Sequence, residues 1–201
     1  YNGVKMVGNS GLPISGETGI YEIGEMSAHL KEPLAKKKGT VQKLDISEDY
    51  IKHSLKYNTH PLKHFKIVID TANAMGGPIS SMFFKHIDCD FTHLFAQLDG
   101  TFPNHEANPL KEENNRALQK AVKNKKADLG IAFDGDSDRC AFVDEKGEIV
   151  NSDLIIALVA KVLLAEKKGS RILYDVRSSK VVGEVIEENG GISGRCKVGH
   201  S

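Results

Sequence analysis

The sequence has no excess of either charge: 27 Lys and Arg stand against 27 Asp and Glu over 201 residues. A balanced chain of this kind argues for neither a nucleic-acid partner nor a membrane-surface partner. Long apolar runs are missing too. The longest, Leu154 to Ala165, is interrupted by Lys161 and is too short to span a bilayer. No signal-peptide pattern opens the sequence. Cysteine is scarce: Cys89, Cys140 and Cys196 form no C-x-x-C pair, and their odd number leaves one unmatched. Free thiols in a reducing cytoplasm are the expectation. The length suffices for one large domain or two small ones with a sizeable core.

What the sequence does have is an apolar run, Leu129-Gly130-Ile131-Ala132-Phe133, that ends in Asp134, Asp136 and Asp138 at alternate positions. The run reads as a buried strand, and Gly135 permits a tight turn just past its end. Three carboxylates so close repel one another unless a cation sits among them. Their hard oxygens suit Mg²⁺, Mn²⁺ or Ca²⁺ better than zinc. An EF-hand does not fit, because Arg139 stands where that loop needs its glycine and a strand precedes the acids. A guanidinium beside a cation makes sense if both face one phosphate.

The stretch Phe133-Asp134-Gly135-Asp136-Ser137-Asp138-Arg139, with Phe142-Val143-Asp144-Glu145-Lys146-Gly147 after it, resembles the metal-binding loop of the α-D-phosphohexomutases, the phosphomannomutase/phosphoglucomutase enzymes and their relatives. Further segments resemble the same family. Asn2-Gly3-Val4-Lys5 is similar to the Asn-Gly-x-Lys that follows the family's phosphoserine loop. Phe102-Pro103-Asn104-His105 is similar to its Phe-Pro-Asn-His loop, with Ala107 where a proline is usual. Asp175-Val176-Arg177-Ser178-Ser179 is similar to its substrate-contacting segment, and Gly199-His200-Ser201 to its Gly-His-Ser.

The resemblance implies Mg²⁺ on Asp134, Asp136 and Asp138, and a phosphate held by Arg139. It also implies Lys5 as a proton-transfer group, Arg177 and Ser178 as substrate-binding residues, and His200 lining the active site. The implied reaction interconverts hexose 1-phosphates and 6-phosphates, mannose or glucose, through a phosphoserine and a hexose 1,6-bisphosphate. No Ser-His-Asn-Pro occurs in the sequence, so these residues are expected to be an internal part of the enzyme, inactive alone. The expected division is 1–59 as the end of the family's domain 1 with a linker, 60–150 as domain 2 with the metal loop, and 151–201 as the start of domain 3. The oligomeric state is left open.

The pattern along the chain gives an α/β fold with mixed, mostly parallel sheets flanked by helices. Helical spacing runs from Ile20 to Leu30. Val41 to Ile46 reads as a strand, and Ser47 as the cap of a helix to about Tyr57. Phe65 to Asp70 is a strand. The turn Thr71 to Gly77 after it, lacking both nucleotide-binding glycine patterns, leads to a helix from Ile79 to His86 begun by Pro78. A strand from Asp90 to Leu98, an ordered loop around His105 and a helix from Glu112 to Asn124 precede the acidic strand. His105 is read as mainly structural. Asp144 to Gly147 is a hairpin-type turn, and Asn151 to Asp153 cap a helix to about Lys167 ended by Gly169. Arg171 to Asp175 is a strand and Lys180 to Glu188 a helix. His60 and His64 have zinc spacing, but Pro61 between them argues against a helix.

Other classes remain open. They are a phosphoglucosamine mutase, a phosphohydrolase of the haloacid-dehalogenase type with Asp134 as nucleophile, and a non-catalytic Mg²⁺ or sugar-phosphate binding module.

Overall fold

The structure is a computed structural model that describes residues 5–31, 37–59 and 62–198. Two compact units divide the described residues. One gathers those of Tyr1–Lys43, Leu173–Ser178 and Gly194–Ser201; the other gathers those of Leu44–Ile172 and Ser179–Ser193.

In the larger unit, strand β1 (Phe65–Asp70) is an interior strand of a five-stranded sheet. Its residues Ile67 to Asp70 are all buried, as expected of a strand covered on both faces. β1 pairs in parallel with β2 (Cys89–Leu94) on one side and β3 (Leu129–Phe133) on the other. β4 (Cys140–Val143) and β5 (Ile149–Val150) extend the sheet antiparallel from β3. The result is the expected α/β fold with a mixed sheet, in which the hairpin turns after β3 and β4 supply the antiparallel part. At the second turn, Asp144 Oδ1 accepts the N–H groups of Lys146 and Glu148 at 3.0 and 2.8 Å, and Gly147 takes φ 75°.

Numbering the helices in chain order, α1 is Ile20–His29, in the smaller unit, and α2 is Ser47–Leu55. α3 is Gly76–Phe83, α4 is Arg116–Lys125, α5 is Ser152–Glu166 and α6 is Lys180–Glu188. The core of the sheet unit lies under α4. Leu118 and Val122, a helical turn apart, are fully buried against Val68, Ala132 and Val143. Each such side chain contributes about 1.5–3 kcal/mol of burial. Gly130 of β3 makes room for that helix, because a Cβ there would lie 2.8 Å from Val122 and 3.1 Å from Leu118. A second sheet pairs β6 (Arg171–Asp175) with β7 (Ile192–Cys196). Buried Ala157, Ala160 and Leu164 of α5 and Val182 and Ile186 of α6 belong to a packed helix pair. Leu158, Val162 and Leu163 of the same α5 are exposed.

Several boundaries differ from the sequence pattern. Residues 41–46 are irregular and exposed, since no neighbouring strand takes up a ladder with them among the described residues. Ser47 is the first residue of α2, with Ile46 at the cap, and Asp45 accepts the Ser47 N–H at 2.9 Å. α3 starts before Pro78 and passes into a 3₁₀ turn, Phe84–His86; a proline within a first turn sacrifices no helical bond. β2 ends at Leu94 because Phe95 turns left-handed, at φ 52°. The helix expected from Glu112 opens as a 3₁₀ turn, Glu112–Asn115, before α4. Asn151 caps α5 by accepting the Asp153 N–H at 2.8 Å. Tyr1 to Val4, His60, Pro61 and His200 lie outside the described residues. No helix among the described residues is long and apolar enough to cross a membrane.

Candidate metal centre

The acidic loop joins β3 to β4, so both its ends are pinned by the ladder between Phe133 and Cys140. Its first residue is buried and its later acids are exposed. Asp134 is 1% exposed. Its backbone N–H donates to the Arg139 carbonyl at 3.2 Å, and its carbonyl accepts the Ser137 N–H at 3.2 Å. Ser137 closes this turn at φ 62°, a conformation that costs a non-glycine residue about 1 kcal/mol or more. The turn brings one carboxylate oxygen from each of Asp134, Asp136 and Asp138 within 4.8 Å of the others. Three hard oxygen donors at that separation fit a divalent cation.

Arg139 balances part of this charge. Its N–H donates to Asp134 Oδ1 at 3.0 Å and its Nε–H to Asp134 Oδ2 at 2.7 Å. Nε also lies 3.6 Å from Asp138 Oδ1. The guanidinium is half exposed, so it faces both the buried carboxylate and the solvent in front of the loop. At the end of the loop, partial burial and the charge of Asp134 push the Cys140 thiol above its usual range. A cavity of about 410 Å³ opens beside the loop, lined by Asp136, Ser137, Gly76, Tyr50, Ile79 and Phe83.

Two neighbouring loops hold the acidic turn in place. The Met75 N–H donates to the Gly135 carbonyl at 3.2 Å, and a Cβ on Gly76 would lie 2.5 Å from Ser137 Oγ. From the other side, Ala107 Cβ lies 3.8 Å from where a Gly135 Cβ would be. Inside these loops sits a pairing that sequence spacing did not reveal. His105 Nε2 lies 3.2 and 3.1 Å from the two oxygens of Asp70. Asp70 and His105 are 35 residues apart. The only signals were a strand ending in an acid and an ordered loop carrying a histidine.

The remaining candidates lie apart from this loop in the chain. Lys5 is exposed and belongs to the smaller unit. Arg177, in the same unit, is committed to Asp175: Nη2 donates to Oδ2 at 2.9 Å and the backbone N–H to Oδ1 at 2.8 Å. That guanidinium holds the Asp175 carboxyl below its usual range, and the carboxylate raises Arg177 in turn. The Ser178 N–H donates to the Asp175 carbonyl at 3.1 Å. His64 contacts Asp88 at 2.8 Å and Asp90 at 3.5 Å.

The family description "Phosphoglucomutase/phosphomannomutase, alpha/beta/alpha domain II" matches residues 48–147, which include the whole acidic loop. The chain belongs to the phosphoglucomutase/phosphomannomutase family. Among its curated relatives is a protein named "Phosphohexose mutases" from Xanthomonas campestris pv. campestris. It is 36% identical over 206 residues, covering 100% of this chain and 45% of the relative. A phosphoglucomutase of Neisseria meningitidis serogroup B is 36% identical over 201 residues, covering 100% of this chain and 43% of the relative. The chain thus spans less than half the length of these relatives. Among solved structures, a phosphoglucomutase/phosphomannomutase family protein of Burkholderia thailandensis superposes with a TM-score of 0.85 at 29% identity, over 94% of this chain and 41% of that one.

Proposed function

We propose that this chain is the metal-binding part of a phosphosugar mutase that interconverts hexose 1-phosphate and 6-phosphate, with mannose or glucose as the sugar. The carrying observation is the cluster of Asp134, Asp136 and Asp138 at the end of β3, with Arg139 against it, in a chain of this family. Mg²⁺ is the proposed ion, since three hard carboxylates suit it. When bound there it would neutralise charge on phosphoryl oxygens. Arg139 would hold the same phosphate through its exposed side. Lys5 would move the proton of the substrate hydroxyl, Arg177 and Ser178 would bind the sugar phosphate, and His200 would line the active site.

The proposed substrates are hexose phosphates and a hexose 1,6-bisphosphate, in the cytoplasm. The phosphoserine of the scheme is assigned to the whole protein, because the family's serine motif is not among these residues. The division 1–59, 60–150 and 151–201 into parts of three family domains belongs to the same proposal. The match of residues 48–147 to domain II and the exposed apolar surface of α5 support it.

The burial of Asp134 weighs against the haloacid-dehalogenase alternative. A carboxylate nucleophile must reach a phosphorus atom, whereas Asp134 is 1% exposed with both oxygens engaged by Arg139. The test is a calorimetric Mg²⁺ titration of the chain and its three single Asp→Asn variants. Each variant is expected to bind more weakly; unchanged affinity in all three sinks the metal assignment. In a parallel assay, the chain alone with Mg²⁺ and a hexose 1,6-bisphosphate is expected to give no sustained isomerisation.

A further inference from the structure

We propose that His105 and Asp70 are positioning residues for the acidic loop, acting through the two loops that flank it; the metal readout below rests on the metal assignment made above. Asp70 ends β1, directly beside β3. In the ladder it pairs with Ala132, two residues before Asp134. The carboxyl is 1% exposed, where an unpartnered charge is costly. It has two partners. Its Oδ1 accepts the Ala72 N–H at 2.9 Å, and His105 Nε2 sits against both oxygens.

The proton count of this pair is constrained. His105 Nδ1 lies 2.9 Å from the Glu106 carbonyl, which only accepts, so Nδ1 carries a hydrogen. Nε2 and the Asp70 carboxyl then need one more proton between them, on either partner. The pair is a proton-sharing clamp between the end of β1 and the loop that carries His105.

Each end of the clamp fixes one wall of the acidic loop. On the Asp70 side, Ala72 and Asn73 both adopt left-handed backbone, at φ 48° and 58°. Two consecutive non-glycine residues there persist only where the surroundings over-determine them. Asn73 is over-determined. Its N–H donates to the Phe95 carbonyl at 2.8 Å and its carbonyl accepts the Asp99 N–H at 2.9 Å. Its Nδ2 donates to the Gln97 carbonyl at 2.9 Å, and its Oδ1 accepts from Asn104 Nδ2 at 2.7 Å. This bend aims the Met75 N–H at the Gly135 carbonyl and sets Gly76 against Ser137. On the His105 side, the following residues bring Ala107 against Gly135. Gly135 therefore lies between two loops, bonded to one through the Met75 N–H and neighboured by the other at Ala107, and His105–Asp70 with Asn104–Asn73 ties those loops together.

A clamp of this kind acts on metal affinity through the geometry of Asp134, Asp136 and Asp138, touching no ligand itself. The experiment uses the full chain as wild type, His105→Ala, His105→Gln and, as a stability control remote from the loop, Ile186→Val in α6. Free Mn²⁺ is followed by electron paramagnetic resonance, and amide hydrogen exchange is read at Met75 and Arg139 without metal. His105→Ala is expected to weaken Mn²⁺ binding about 10-fold, the low end for partners that orient ligands, and to speed exchange at both amides. His105→Gln, which keeps a donor toward Asp70, is expected to restore most of both. Ile186→Val is expected to lower the melting temperature and leave both readouts unchanged. Wild-type exchange rates in His105→Ala overturn the positioning role, as does an equal effect from Ile186→Val. Faster exchange in His105→Ala, with no Mn²⁺ bound even by the wild type, overturns the metal assignment and leaves the clamp standing.

Discussion

Replacing Asp136 by Asn should reverse its effect on stability when a divalent cation is added. Without metal, the carboxylate oxygens of Asp134, Asp136 and Asp138 lie within 4.8 Å of one another. At that separation two unit charges repel by about 1 kcal/mol in water, and by several times more at lower dielectric. Asp136 is exposed, so screening favours the low figure. It faces two such neighbours, and the ion pairs found for Arg139 are with Asp134 and Asp138. Asp136→Asn should therefore stabilise the metal-free chain by about 1–2 kcal/mol, at about 2–4 °C of melting temperature per kcal/mol for this size. With metal the order inverts. The wild type gains about 2.7 kcal/mol when the free ion reaches roughly 100 times its dissociation constant, while the variant has lost one ligand and gains less. Far-UV circular dichroism or calorimetry is the assay, since the sequence has no Trp. A variant that melts below wild type without metal, and shows the same rise with Mg²⁺, would refute both the repulsion and the metal argument.

Two glycines should respond unequally to Ala. A Cβ on Gly77 would lie 2.1 Å from the Ala96 carbonyl oxygen, which is backbone, whereas on Gly130 it meets only side chains, at 2.8 to 3.1 Å. Overpacking costs about 1–3 kcal/mol, occasionally more. Gly77→Ala should fall at or beyond the upper end and Gly130→Ala nearer the lower, as measured by urea midpoints. Acid should weaken the fold through His93. Burial holds its pKa below the ordinary 6.5, and its ring is held by Ser81 and Thr71 at 2.9 and 3.0 Å. The folded state then binds fewer protons than the unfolded one between the lowered value and 6.5, so this stability is complete above 6.5 and is lost as pH falls through that window. His93→Gln should lose less melting temperature than wild type between about pH 7.5 and about pH 5.5; an equal loss in both proteins would contradict it.

The elements legible in the sequence were those whose own residues decide them. Leu129–Phe133 ends in carboxylates, Arg171–Asp175 is a short apolar run between charged ends, Lys180–Glu188 has helical periodicity, and Asp144–Gly147 has turn chemistry; the structure places each as expected. The acidic cluster was legible for the same reason, because alternate residues of one tight turn need no distant partner to converge. What the sequence hid depends on partners far along the chain. Val41 to Ile46 has strand composition and no neighbour to pair with among the described residues. Phe95 cuts β2 short because its carbonyl is wanted by the Asn73 N–H, a demand made by a loop 22 residues earlier. The Asp70–His105 pair carries no local signature at all, since a strand ending in Asp and a loop with His are each ordinary.

Topology explains why two strands that both end in aspartate use it so differently. β1 and β3 are parallel neighbours, so Asp70 and Asp134 emerge at the same edge of the sheet, where ligands bind in such folds. After β1 the chain must cross over to another parallel strand, and Asp70 is sealed inside that crossover by the Ala72 N–H and His105. After β3 the chain turns straight back into antiparallel β4. That hairpin leaves the loop projecting from the sheet edge, with Asp136 and Asp138 in solvent and only Asp134 buried. Each buried carboxylate has one cationic-capable partner, His105 for Asp70 and Arg139 for Asp134. The difference is that Arg139 is half exposed while His105 is largely enclosed. The charge on the Asp134 side therefore faces an incoming anion or cation, and the charge on the Asp70 side is turned inward. Exchanging the two roles would require moving the hairpin, because no side-chain substitution at Asp70 can open a crossover that His105 and Asn73 close from both sides.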